Sequence, residues 1–134
     1  MKAKAELAAG QEFLRYTKAG AKPRIIFLGS EGDLLCWKEV KRAWKKKDGI
    51  ALDDIVEIQD NRSAPNFKKT KTKMDEQTAV SLSFSIKTAK ESVDLEASSL
   101  AMKEEFLLNL KAVLHYRNIM GPPNNPNILG DLAT

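Results

Sequence analysis

The stretch from Val80 to Arg117 closes a strand-rich chain with two short apolar runs and one helical run, and that order admits few folds. Val80, Leu82, Phe84 and Ile86 alternate with Ser81, Ser83 and Ser85; Val93, Leu95 and Ala97 then alternate with Asp94 and Glu96. Successive side chains of a strand point to opposite faces, so the two runs predict a half-buried hairpin with Lys87–Ser92 as its turn. Beyond it Met102, Phe106, Leu110 and Val113, with Leu107 and Leu114 beside them, recur at helical spacing. Ser98 or Ser99 offers the side-chain oxygen that a helix start needs for its unpaired N–H groups, and Gly121-Pro122-Pro123 stops the helix. The expectation is a mainly β domain that ends in a single helix.

Upstream, strands are expected at Gln11–Thr17, Arg24–Leu28 and Leu34–Lys38, joined by turns at Lys18–Lys22 and Gly29–Asp33. They read as an antiparallel meander. Asp48-Gly49 marks a further turn, and Ile50–Ile58 reads as a short strand, a bend at Asp53-Asp54 and another strand. Residues 59–78 are polar and long for a connection, so strand ends around a mobile loop are expected there. With 134 residues and 43% hydrophobic content the chain can bury one core without staples. The expected division is an amino-terminal extension over residues 1–9, a domain over 10–120 and a flexible tail over 121–134, whose first half carries three prolines and three asparagines.

Charge is unevenly placed. Residues 1–48 hold 12 Lys+Arg against 6 Asp+Glu, a net of +6, and the remainder hold 10 against 12, a net of −2. That asymmetry points to an electropositive patch in the amino-terminal half rather than a uniformly basic coat. The one cysteine, Cys36, excludes an internal disulfide framework and, within Leu34-Leu35-Cys36-Trp37, reads as a small buried hydrophobe in a reducing, cytosolic setting. No run of about 18 apolar residues occurs and no secretory h-region follows the amino terminus, so membrane contact is expected to be peripheral.

Catalysis is not expected. The sole histidine, His115, falls near the helix end beside Tyr116 and Arg117, where a cation suits the helix dipole. No Cys/His/Asp cluster has metal-ligand spacing, no phosphate-loop motif is present, and no nucleophile has an obvious base, so neither metal nor cofactor is expected. Asp53-Asp54 reads as turn chemistry. Phe67–Lys73 is basic enough to track a nucleic-acid backbone but lacks interleaved aromatics for base stacking, so no nucleic-acid partner is expected.

Several pieces in order resemble the pleckstrin-homology (PH) domain family. Gly10–Tyr16 looks like its first strand, Lys22-Pro23-Arg24-Ile25-Ile26 like the basic-x-Arg-hydrophobic-hydrophobic signature of its second, and Trp37–Arg42 follows at the expected distance. Ile50–Ile58, Phe84–Ile86 and Val93–Ala97 look most like the amino-terminal PH domain of phosphoinositide-specific phospholipase C enzymes, and in size and isolation the chain is also similar to the acylated apicomplexan PH-fold proteins. The resemblance covers about residues 10–116. It implies a mainly β fold: a seven-stranded, partly open antiparallel barrel of two near-orthogonal sheets, capped by one carboxy-terminal α-helix.

It also implies a site. Lys22 and Arg24 match the family's second-strand pair, Arg15 takes the place of a first-strand lysine, and Lys41 or Arg42 the place of the basic residue after the third strand. Lys18 joins them where the first hairpin's open end meets the loop after the third strand. Guanidinium forks grip phosphate bidentately and ammonium groups act as point charges, so this set suits a phosphorylated headgroup. Trp44, Lys45, Lys46 and Lys47 form a candidate membrane contact, an amphipathic ring among cations. The chain departs from the family in the six residues between Arg15 and Lys22, in Thr17 where a second base is common, in Pro23 with no N–H, and in Phe106 for the helix tryptophan.

The functional expectation is a monomer, cytoplasmic and peripheral on a cytosolic membrane face, that binds an anionic phospholipid headgroup, a phosphoinositide or phosphatidic acid, through its first-hairpin pocket. The alternative is a PH-fold scaffold for a protein partner, anchored by an acylated amino-terminal extension not included in this sequence, as in apicomplexan inner-membrane-complex proteins. Against acylation at this start, Lys2 stands where myristoylation needs glycine.

Overall fold

A computed structural model describes residues 2–45, 48–70 and 74–121. Helix α1 (Lys2–Ala9) leads into β1 (Gln11–Thr17), β2 (Gly20–Leu28), β3 (Leu34–Lys38) and β4 (Gly49–Ala51). A 3-10 turn (Leu52–Asp54) precedes β5 (Ile55–Gln59), and a second 3-10 segment (Pro65–Lys69) precedes α2 (Glu76–Leu82). The chain then forms β6 (Ser83–Thr88), β7 (Ser92–Glu96) and α3 (Leu100–Tyr116).

All seven strands join one antiparallel sheet in the order β4-β3-β2-β1-β7-β6-β5. One continuous ladder runs from β4 to β5 and the sheet is not closed, in keeping with the expected seven-stranded, partly open antiparallel barrel. Its register decides what faces inward. Across β1 and β2, Phe13 pairs with Arg24 and Arg15 with Lys22; across β2 and β3, Ile26 pairs with Trp37. Directly paired residues share a face, so these six lie on the side of the sheet that carries the core.

That core gathers under α3. Ser99 accepts a hydrogen bond from the Met102 N–H at 3.2 Å and so starts the helix, which buries Phe106, Leu110, Val113 and Leu114. The Phe106 ring centre lies 4.8 Å from that of Phe13 and 5.7 Å from that of Phe84, a three-ring cluster at the heart of the barrel. Residues 1–9, read as an extension, include α1, which buries Ala3 and Leu7 in this same cluster. Gly10 turns the chain from α1 into β1 at φ +88°, and a Cβ there would stand 3.0 Å from Ile25 Cγ2, so the position calls for glycine.

Two expectations are corrected on the outer face. Val80 and Leu82 are helical, not part of a strand: the Asp75 carboxylate accepts from the Thr78 N–H at 2.9 Å and its hydroxyl at 2.7 Å, capping α2. Within α2 it is Ala79 and Leu82, three apart, that are buried, while Val80 is exposed. A short apolar run does not distinguish strand from helix by period alone, and the cap decides. Nor is the β6–β7 hairpin half-buried, because Ser83, Ser85, Asp94 and Glu96 are as enclosed as Phe84 and Leu95.

What encloses them is the segment expected to be a mobile loop. Arg62 donates to Glu96 at 2.8 Å and to Ser83 at 2.7 Å, and its guanidinium packs against both the Tyr16 and Phe67 rings, 4.8 Å from each centre, while the two ring centres lie 5.0 Å apart. Asn66 donates to Asp94 at 3.0 Å, while Ala64 and Phe67 pack on Tyr16 in a second apolar cluster. Residues 60–69 thus form a strap over the outer face of β1, β7 and β6. Residues 71–73, the end of the basic Phe67–Lys73 run, lie outside the described residues, as do residues 122–134 of the expected tail.

Candidate anion-binding pocket

The open end of the sheet, away from α3, presents a cavity of about 250 Å³ lined by Arg15, Arg24, Trp37, Glu39, Arg42 and Lys45 among others. Strand register places its floor. Arg15 projects from β1 on the inner face, and its guanidinium lies 4.1 Å from the Trp37 ring centre on β3. There the indole face attracts the cation and shields it from water. Arg15 Nε is buried with no hydrogen-bond partner among the described residues. Burial lowers the Arg15 pKa from its ordinary value, with repulsion from Arg24 adding to the effect and attraction from Glu91, Asp48 and Asp94 opposing it. A guanidinium stays protonated through any ordinary pH, so the consequence is a charge held at a cost and short of one partner.

Two further arginines form the wall and rim. Arg24 Nη1 donates to the Pro23 carbonyl at 2.7 Å, and Arg24 Nη2 stands 3.6 Å from Glu39 Oε1. Arg42, from the loop after β3, places Nε 2.9 Å from Glu39 Oε2. Glu39 therefore bridges the two. Lys38 borders the cavity, but its ammonium sits 5.8 Å from the Phe27 ring centre on the sheet's other face.

Of the residues expected at the site, Arg15, Arg24, Arg42 and Lys45 come together around this cavity. Lys22 sits opposite Arg15 across the hairpin but is exposed and outside the lining, as are Lys18 at the hairpin tip and Lys41. Trp44 is half-buried: its indole N–H donates to the Asp48 carbonyl at 2.8 Å, and its ring meets Phe27 edge-on at 6.3 Å. Lys46 and Lys47 lie outside the described residues. Sequence reasoning missed Glu39, Asp48 and the role of Trp37 as the cavity's floor. The Glu39-to-Arg42 spacing of three was the available signal for the ion pair; nothing local in sequence pairs Arg15 with Trp37.

A single antiparallel sheet in this strand order, with its open edges and its final helix packed over one end, is the PH fold. Solved structures of that fold superpose on the chain. A PH domain from TgAPH matches with a TM-score of 0.63 and 12% identity, over 90% of this chain and 92% of that one. Inner Membrane Complex Sub-compartment Protein 3 from Toxoplasma gondii matches with 0.55 and 9%, over 87% and 83%. The PH domain of human Oxysterol binding protein-related protein 11 matches with 0.55 and 21%, over 87% and 88%. No protein-family model matches the chain, and no curated protein does. The resemblance to the PH fold is thus supported, while the finer likeness to phospholipase C is not.

PH domains in general mediate membrane or protein interactions. Among the described residues no helix is long and apolar enough to cross a membrane, and no group of three or more His, Cys, Asp or Glu is placed to hold a metal ion.

Proposed function

We propose that this chain is a non-catalytic, peripheral membrane-binding domain that takes an anionic phospholipid headgroup into the Arg15 pocket. The observation that carries the reading is Arg15 itself, a guanidinium stacked on Trp37 with a buried Nε that has no hydrogen-bond partner among the described residues. An anion in the cavity would complete its hydrogen bonding and offset the cost of burying its charge. Arg24, Arg42 and Lys45 supply further donors around the same space. Lys18, Lys22 and Lys41, exposed on the adjoining hairpin and loop, would add diffuse attraction to an anionic leaflet, about 1 kcal/mol for each cation near the surface. Lys45, which lines the cavity, would be part of the candidate membrane contact.

Sedimentation with vesicles of graded composition tests this: neutral lipid alone, then with phosphatidic acid, phosphatidylserine or individual phosphoinositides, at physiological ionic strength where diffuse attraction is partly screened. Selective pelleting that a Lys22→Ala/Arg24→Ala double change abolishes without unfolding the domain is the expected result. Binding that survives that change at moderate salt rules out the pocket. Failure to bind every composition leaves the fold as a protein-interaction scaffold.

A further inference from the structure

The pocket already contains an anion of its own. Glu39 reaches Arg24 with one carboxylate oxygen, at 3.6 Å, and Arg42 with the other, at 2.9 Å, so these two arginines are engaged while Arg15 Nε has no hydrogen-bond partner among the described residues. We infer that Glu39 is a built-in competitor, and that displacing it restricts the pocket to phosphomonoesters over phosphodiesters. This rests on the headgroup reading above and refines it.

The reasoning is one of charge and acceptor count. A ligand that bonds Arg24 and Arg42 must first separate them from a carboxylate of charge −1. A phosphodiester also carries −1, so the exchange gains little and leaves Glu39 unpaired in a cavity that also holds Asp48. A phosphomonoester carries about −1.5 to −2 at pH 7 and three strong acceptor oxygens. It has enough of both to replace the two Glu39 contacts and still supply an acceptor to Arg15. The arrangement thereby discounts the abundant monoanionic lipids of a leaflet, which a bare cluster of arginines would bind by charge alone.

The test compares the wild type with Glu39→Gln and with Glu105→Gln, an exposed α3 residue whose neutralisation makes the same change in net charge. Each is sedimented with neutral vesicles doped either with phosphatidic acid or with phosphatidylglycerol, at matched surface charge. The wild type should favour the phosphomonoester vesicle. Glu39→Gln should bind the phosphodiester vesicle roughly threefold to tenfold better, as expected for the loss of two partly exposed ion pairs, and so narrow the preference; Glu105→Gln should not. Titration with glycerol 3-phosphate separates a lipid ligand from a soluble one of the same chemistry, since tighter binding to the vesicle places the ligand on a membrane and equal binding places it in solution.

If the wild type binds and Glu39→Gln keeps the wild-type preference, the competitor is wrong and the headgroup pocket stands. If Glu105→Gln narrows the preference equally, net charge is the cause and the competitor is again wrong. If neither wild type nor Glu39→Gln binds either vesicle, both readings fall. Binding by Glu39→Gln alone would show the competitor acting in a stronger form than proposed.

Discussion

Replacing Arg15 with methionine should leave the fold at about its present stability or raise it, while removing most headgroup affinity. The wild-type guanidinium lies 4.1 Å from the Trp37 ring centre, and a partly desolvated cation–π contact of that kind is worth about 1–2 kcal/mol. Methionine keeps much of the volume and regains about 0.3–1.5 kcal/mol through its sulfur on the same ring. It also removes the buried Nε, which has no hydrogen-bond partner among the described residues and whose burial costs about 1–3 kcal/mol. The two gains together match or exceed the loss, so Arg15→Met should be no more than about 1 kcal/mol less stable than the wild type by urea denaturation, and up to about 3 kcal/mol more stable. Binding has no such compensation. Hydrogen bonds to charged groups contribute about 1.5–3 kcal/mol, so affinity for phosphate-bearing vesicles should fall roughly tenfold to 150-fold. A loss of more than about 3 kcal/mol of stability would make Arg15 a structural strut, at the level expected for breaking a buried charge pair. Unchanged vesicle binding would show that the cavity is not the site.

Three further outcomes are expected. Arg62→Met leaves Glu96, 3% exposed, without its charge partner and should cost about 3–5 kcal/mol in urea denaturation, most of it recovered in Arg62→Met/Glu96→Leu; a cost below 1 kcal/mol would mean that the strap is held by other contacts. The Asp75 carboxyl is held below the usual range by hydrogen bonds from the Thr78 N–H and hydroxyl; a depressed folded value stabilises above the unfolded value and is lost as pH falls through the folded one. The urea midpoint of the wild type should therefore drop more between pH 5 and 3, a window set around the unfolded aspartate value of about 3.9, than that of Asp75→Asn, and equal drops would refute the cap's contribution. Burial raises the Cys36 thiol's pKa, so alkylation at pH 8 should be slow in the native protein and fast in urea, whereas rapid native labelling would contradict its enclosure.

Much of the architecture was legible because local signals agreed with the fold. Gln11–Thr17 and Leu34–Lys38 are strands with the expected bounds, and the bend at Asp53-Asp54 is a 3-10 turn between β4 and β5. Ser99, one of two candidate caps, starts α3. The failures lie where a segment's environment is supplied by distant chain. The serines and acids of β6 and β7 looked solvent-facing because polar residues at period two normally are, yet Arg62, Asn66 and Phe67 arrive from outside to cover them. No pattern within the hairpin announces that covering.

The site divides in the same way. Its residue types and hairpin spacing were visible: Arg15, Arg24 and Arg42 stand out as cations flanking apolar strands. By itself the sequence determined the order of the strands, the Ser99 cap of α3 and the basic amino-terminal half, because these depend on neighbours within a few residues, but it did not show α1 or α2. Only the tertiary structure decided that Arg15 sits over Trp37 while Lys22 opposite it stays in solvent, and that Glu39 joins Arg24 to Arg42. Pairing register, sheet curvature and the fill of the barrel set those distances, and they depend on contacts across the whole chain.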